Sequence, residues 1–332
     1  MEPIKLAIVG VDRYTELLFE ILLKSDRLKL IALCAAQADI IEKYKEQFEN
    51  AEIAFYTDPR EMLLRSNPNI VLLWQDFCGP EFSRFVLEQK NWLVLRPPVK
   101  GEMAQTNNLI KCAEKNNVGL YVWTPWLFYP GIECIADWIA EESVHFLCAR
   151  AQYAFAQMEL PASQELISAI YPQIFLTHQW LGIPQQIYCH HRFFPGSSAD
   201  ASFQFFGMIN MIYPSSSAML TLSINTGPIE EHYIISTQAK QIQARPQQAK
   251  LFDTAGNLIE ESQHISYTQA RKAAYAKHFE QLWQSFMEQK RVSDFELKSQ
   301  ISVFIAVETA KLSARTGQPE SLAKVAELTT NS

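Results

Sequence analysis

Lys5-Leu6-Ala7-Ile8-Val9-Gly10 decides the fold. An unbroken apolar run of strand length that ends in glycine marks a strand buried on both faces and feeding a tight turn. The next stretch, Glu16–Lys24, sets Leu17, Leu18, Ile21 and Leu22 on one side of a helix. Outward from there the same alternation repeats. Strands are predicted at Leu28–Cys34, Ile53–Tyr56, Asn69–Trp74, Trp92–Leu95 and Gly119–Trp123. Helices are predicted at Asp39–Phe48, from Asp58-Pro59 onward, at Pro80–Gln89 and at Ala104–Asn116. Asp58 before Pro59 reads as an N-cap followed by a first-turn proline. Strands alternating with helices of this size imply a parallel sheet joined by right-handed crossovers.

The pattern changes near Pro125. Glu133–Glu142 reads as a helix, His145–Phe155 as a long strand, and Glu165–Leu181 as mostly helical despite Pro172. Extended segments follow without intervening helices: Gln186–Phe194, Ser202–Met211, Ala218–Asn225, His232–Ser236, Lys240–Ala244 and Ala249–Phe252, with a turn at Thr254–Asn257. Ala270–Glu288 and Asp294–Arg315 are closing helices. The expected class is therefore α/β: an N-terminal parallel-sheet domain over residues 1–125, then an α+β domain over residues 126–332 with an open, mostly antiparallel sheet. The closing helices are free to pack back on the first domain. Aromatics at Tyr188, Phe203, Phe205 and Tyr213 suggest an apolar sheet face that needs a partner.

Composition narrows the function classes. Of 332 residues, 48% are hydrophobic and 20% charged, with a formal net charge of −7. An acidic balance argues against nucleic acid or an anionic membrane as the main partner. The N-terminus lacks the pattern of a signal peptide, and no apolar run is long enough to span a bilayer, so a cytoplasmic location is expected. Cys34, Cys78, Cys112, Cys134, Cys148 and Cys189 are scattered with no C-x-x-C pair, which predicts reduced thiols and no metal site. His190-His191 lies on a strand, where adjacent side chains point to opposite faces, so it forms no metal grip.

Several short stretches occur in a telling order. Phe128-Tyr129-Pro130 follows the sixth strand, Trp180-Leu181-Gly182-Ile183-Pro184 ends a long helix, and Leu312-Ser313-Ala314-Arg315-Thr316-Gly317-Gln318-Pro319 closes the last one. With the strand–helix–strand–proline order of Asn69 to Pro98, these resemble the Gfo/Idh/MocA family of nicotinamide-dependent oxidoreductases over nearly the whole chain. Read on their own, the residues are structural: Arg315 and Gly317 suit a helix end, and Trp180 sits at core spacing from Leu176.

The resemblance implies a Rossmann-like NAD(P)-binding-type domain and chemistry at defined positions, most of which differ here. Of a G-x-G-x-x-G loop only Gly10 remains; Asp12 stands at the second glycine and Thr15 at the third. Asp12 also reads as a helix N-cap, and Arg13 could meet a phosphate. Cys34-Ala35-Ala36-Gln37 replaces the ribose acid. Arg96-Pro97-Pro98 stands where the family has E-K-P, and Pro97 cannot transfer a proton. Ser168 and Pro172 fall at the positions of the substrate aspartate and histidine. Family-equivalent cofactor positions are thus Gly10, Asp12, Arg13, Trp74 and Arg96.

A candidate ligand cleft follows from the strand ends: Arg96, Trp123, Trp126, Tyr129 and Ser168, with Trp74 nearby. These aromatics either fill space that a cofactor would use or form a site for a small anionic or planar ligand. No residue is assigned as catalytic, and no cofactor is expected. The expected function is a catalytically degenerate family-like protein acting as a binding, regulatory or scaffold protein. The alternative is a divergent NAD(P)-dependent oxidoreductase on a small polar, sugar-like substrate. An enzyme of another class using the aromatic cleft is a further option. The resemblance also implies pairing through the second sheet, as a homodimer or a heterodimer with a related chain.

Overall fold

The computed structural model describes residues 2–11, 15–49, 51–74, 78–97, 103–139, 142–153, 166–167, 169–195, 203–288 and 296–330. The chain divides into two compact units, one of Met1–Thr124 with Tyr275–Ser299 and one of Pro125–Ala274 with Gln300–Ser332.

The first unit is built on a six-stranded sheet in the order β3-β2-β1-β4-β5-β6. Its strands are β1 (Ile4–Val9), β2 (Leu28–Cys34), β3 (Ala54–Tyr56), β4 (Ile70–Leu73), β5 (Trp92–Leu95) and β6 (Leu120–Val122), and all its pairings are parallel. The crossovers carry α1 (Thr15–Leu22), α2 (Ala38–Gln47), α3 (Pro59–Ser66), α4 (Pro80–Glu88) and α5 (Met103–Asn116). β4 and β5 are buried at every position, as continuous apolar runs demand when helices cover both faces. The Asp58 carboxylate accepts from the Arg60 and Glu61 backbone N–H groups, so the N-cap read from Asp-Pro forms. At the other end Asn67 takes the left-handed conformation that closes α3.

The second unit holds a nine-stranded sheet in the order β14-β13-β12-β11-β7-β10-β9-β8-β15. Its helices and strands run from α6 (Pro130–Ile139) through β7 (Phe146–Tyr153) and α7 (Tyr171–Leu181) to β8 (Gln186–Pro195), β9 (Phe203–Ile212) and β10 (Ser217–Ile224). Then come β11 (Glu230–Ser236), β12 (Lys240–Arg245), β13 (Gln248–Asp253) and β14 (Leu258–Glu261). The described pairings are antiparallel except β7 with β10, which is parallel. α8 (Tyr267–Glu288) follows, and its residues from Tyr275 on cluster with the first unit. α9 (Ile301–Thr316), β15 (Glu320–Ser321) and α10 (Leu322–Thr330) complete the chain.

The sequence reading and the structure differ in places. α7 begins at Tyr171, so Pro172 sits in its first turn, where the missing N–H costs no helical bond. Trp180 is half-buried instead of core, with its indole edge-on to Tyr233 at 5.9 Å. β14 is exposed at every position and lacks the alternation that would reveal it, and β15 and α10 follow a glycine read as a terminus. That glycine does close α9: Gly317 has φ +68 and its N–H donates to Ser313 O at 2.8 Å. Ser313 itself is fully buried; its hydroxyl donates to Gln318 O and accepts from the Cys189 N–H, which ties α9 to β8. Among the described residues, no helix is long and apolar enough to cross a membrane.

Candidate functional site

In the first unit the sheet order reverses between β1 and β4, and ligands of open parallel sheets bind beyond the carboxyl ends at such a switch point. Gly10 leaves β1 there with φ +87, a conformation that a Cβ disfavours, and its N–H donates to Cys34 O at 2.8 Å. α1 begins at Thr15, which is fully buried. Asp12 and Arg13, between the turn and the helix, lie outside the described residues. The ladder places the neighbouring strand ends alongside: Trp74 N–H on Val9 O at 2.7 Å, Arg96 N–H on Leu73 O at 3.2 Å, and Trp123 N–H on Leu95 O at 2.8 Å.

The structure therefore brings Gly10, Trp74, Arg96 and Trp123 to one edge of one sheet. The Arg96 guanidinium lies over the Trp74 ring at 4.3 Å, a cation–π pair. Both indoles are buried, at 2% exposure each, and meet edge to face at 5.8 Å. Trp123 is further enclosed by Tyr275, His278 and Phe279 of α8, so it packs as interior. Its indole N–H and the Thr124 hydroxyl are buried without a hydrogen-bond partner among the described residues. Each such group costs about 1–3 kcal/mol unless something supplies its partner. Burial holds the Cys34 thiol up at about 12, so the end of β2 presents a neutral, apolar group.

Trp126 and Tyr129 belong to the second unit. Trp126 sits in the short 3-10 turn Pro125–Phe128 and meets Tyr171 at 6.0 Å and Phe175 at 5.7 Å, edge to face. Tyr129 is buried with its ring 6.4 Å from that of Tyr267. Ser168, like Pro98, lies outside the described residues. The candidate cleft residues are thus divided between the two compact units.

A cluster in the second unit escaped the sequence reading. Glu231 on β11 is 6% exposed, and its carboxylate accepts from the hydroxyls of Tyr233 at 3.3 Å and Tyr267 at 3.1 Å and from Gln173 Nε2 at 3.2 Å. The same Gln173 amide nitrogen reaches the Tyr153 hydroxyl at 3.0 Å. Arg271 donates to the Tyr267 hydroxyl at 2.7 Å and lies over its ring. Desolvation raises the Glu231 carboxyl above its ordinary value, and the Arg271 charge and the surrounding hydrogen bonds pull it back in part. Gln173 is fully buried, and its Oε1 has no partner among the described residues. A signal did exist: Glu231 shares the inward strand register with Tyr233 and Ile235, so period 2 alone puts a carboxylate in the core.

No protein-family model matches the sequence, and no curated protein matches it. Solved structures do match in fold. An oxidoreductase from Agrobacterium radiobacter, in complex with NAD+, L-tartaric acid and magnesium, aligns at 11% identity and TM-score 0.78, covering 98% of this chain and 99% of that one. GenD2 from gentamicin A biosynthesis, in complex with NAD, aligns at 13% identity and TM-score 0.79 over 97% of each chain. The WlbA dehydrogenase from Chromobacterium violaceum, in complex with NADH and UDP-GlcNAcA, aligns at 14% identity and TM-score 0.72, over 97% and 96%. The chain has the fold of the Gfo/Idh/MocA-type oxidoreductases. The expectation that no cofactor is bound is corrected by this finding, because these neighbours hold a nicotinamide dinucleotide in the same fold. That expectation was drawn from Asp12 in a loop glycine's place, the missing ribose acid at Ala35-Ala36 and the tryptophans in the cofactor's space. A dinucleotide is also held by turn shape and backbone N–H groups, which side-chain identity does not report.

Proposed function

We propose that this protein is a divergent NAD(P)-dependent oxidoreductase acting on a small polar, sugar-like substrate. The observation that carries the reading is the Gly10 turn at the switch point between β1 and β4, followed by the start of α1. Gly10 lets the backbone turn tightly, and the first N–H groups of α1 suit a pyrophosphate. Arg96 supplies a fixed positive charge at the next strand end, held by Trp74. When bound, a nicotinamide supplies hydride acceptance or donation. The chain's own part is to hold it, exclude water and place a proton. Pro97 cannot take a proton, so that role falls on another group.

Titration calorimetry with NAD+, NADH, NADP+ and NADPH tests the reading. Binding tighter than about 1 mM is expected for at least one form, worth over ~4 kcal/mol. Replacing Gly10 by valine strains the turn by about 1–3 kcal/mol and should weaken that binding in proportion. No heat with any form overturns the proposal. Pro97 favours a second reading, a protein that binds the dinucleotide without turning over a substrate; single-turnover absorbance at the reduced nicotinamide band separates the two. We also take the protein to be a homodimer through its second sheet. We place it in a reducing compartment such as the cytoplasm, because its six cysteines are unpaired.

A further inference from the structure

On the other face of the second unit's sheet, away from α7, lies a cavity with its own chemistry. Glu231 is turned inward to Gln173 of α7, so its neighbours Glu230 and His232 point to the opposite side of the sheet. There His232 on β11, Gln243 and Arg245 on β12, Lys250 and Phe252 on β13, and His264 after β14 line an open cavity of about 420 Å³. That volume suits a small ligand. Strand pairing sets the polar groups side by side: Gln243 stands opposite Lys250, and His232 opposite Arg150 of β7. β12 lies four strand spacings, about 19 Å, from β9, where Phe206 and Ile212 are exposed.

We infer that this cavity binds the phosphate group of a small organic phosphate. Its wall is rich in N–H donors, and they converge from three strands and the segment after β14. Donors arriving from several directions suit the tetrahedral oxygens of a phosphate better than a planar carboxylate. Arg245 and Lys250 are already ion-paired, with Glu230 at 3.1 Å and Glu261 at 3.0 Å. Both pairs are a third to a half exposed, so each is weak and leaves further N–H groups for a ligand. With Arg150, the three cations outweigh the two carboxylates by one charge. His232 registers that surplus. Burial lowers its pKa first, and the charges of Arg245 and Arg150 lower it further against the pull of Glu230. Phe252 adds an apolar wall for the carbon skeleton of the ligand. A neutral ligand would leave the cations' charge unused, and a metal cation would be repelled by it. The inference does not depend on the oxidoreductase reading, whose dinucleotide belongs to the first unit.

Titration calorimetry and phosphorus NMR on the full-length protein test it, with inorganic phosphate, glycerol phosphate and phenyl phosphate as probes and glycerol as the neutral counterpart. Binding of at least one phosphate ester is expected, and none of glycerol. Arg245→Gln and Lys250→Gln should each weaken that binding about tenfold, because each removes a charge-assisted hydrogen bond. Glu261→Gln removes a competing carboxylate and should tighten it about threefold. The opposite signs are the decisive readout. Lys250 and Glu261 pair with each other, so a purely structural pair would give the same effect when broken from either side. All three side chains are partly exposed, so the variants fold, and their melting temperatures check it. No binding of any phosphate probe overturns the inference, and so does binding of inorganic phosphate alone, an adventitious ion only. Binding that the cation variants leave unchanged places the phosphate elsewhere, such as at the turn after Gly10, and overturns it as well. A Glu261→Gln variant that weakens binding as the cation variants do also removes the site.

Discussion

Glu231 shows how one buried residue can shape the behaviour of the whole fold. Desolvation raises its folded-state value above the 4.5 of a free carboxyl. The folded state therefore binds the proton more tightly than the unfolded one. Its contribution to stability is fully present below pH 4.5, and is lost as pH rises from there through the folded value. Glutamine keeps the shape and does not titrate. The melting temperature of Glu231→Gln relative to the native protein should therefore rise between about pH 5 and about pH 8. A scan by circular dichroism at both values checks it, and a difference that is flat or shrinks with pH would sink the assignment. Sequence alone did reveal residues whose role is conformational. Gly10 after a buried strand, Asp58 before a proline and Gly317 after a basic turn each have one backbone geometry that suits them. Glu231 was hidden because the strand read from sequence begins at His232, leaving the acidic pair outside it, whereas β11 begins at Glu230 and brings Glu231 to Tyr233 and Tyr267.

At the scale of elements, period 2 and period 3.6 located the parallel sheet and most of the second sheet, because buried runs leave an apolar signature. β14 and β15 were invisible because an exposed or two-residue strand has none. Of the residues read from sequence as the apolar face that implies a partner, only Tyr188 lies on the outer face. Phe203, Phe205 and Tyr213 are buried at 3%, 0% and 5%, on the inner face. The opposite register leaves Phe146 on β7 exposed at 38% and Phe206 and Ile212 on β9 at 40% and 46%, with Tyr188 half-buried on β8 beside them. Alternation foretold that one face would be apolar, but a one-residue difference in register decides which. If that outer face is the homodimer contact, replacing Phe206 and Ile212 by lysine should yield monomers by light scattering at about 10 µM, with the melting temperature of each unit little changed. A native protein that is already monomeric at that concentration would remove the dimer.

Over the whole molecule, the first unit is not one continuous piece of chain, and this follows from what its tryptophans need. Trp92 and Trp123 stand at β5 and just past β6, and each meets one aromatic of the first 124 residues, Tyr121 and Trp74 respectively. Further cover comes from a segment about 150 residues later. Phe286 meets Trp92 at 4.9 Å, while Tyr275 and Phe279 meet Trp123 at 5.3 Å and 4.9 Å. His278 lies against Trp123 at 4.3 Å and is held uncharged, at about 3, by burial. Arg27 joins the same helix through an ion pair to Glu280 and a cation–π contact with Trp283. Losing these contacts would expose two large indoles, each worth on the order of 2 kcal/mol or more in buried apolar area. A domain limit placed near residue 125 from the change of pattern marks where the sheet ends, and not where the unit's core is complete. A fragment ending at Thr124 should therefore show red-shifted tryptophan emission, bind a hydrophobic dye and melt without a cooperative transition. Adding a peptide of Tyr275–Ser299 should restore blue-shifted emission by covering the same rings. A Thr124-terminated fragment that melts cooperatively with native emission would show that α8 is dispensable to the unit, and the argument from Trp92 and Trp123 would fail.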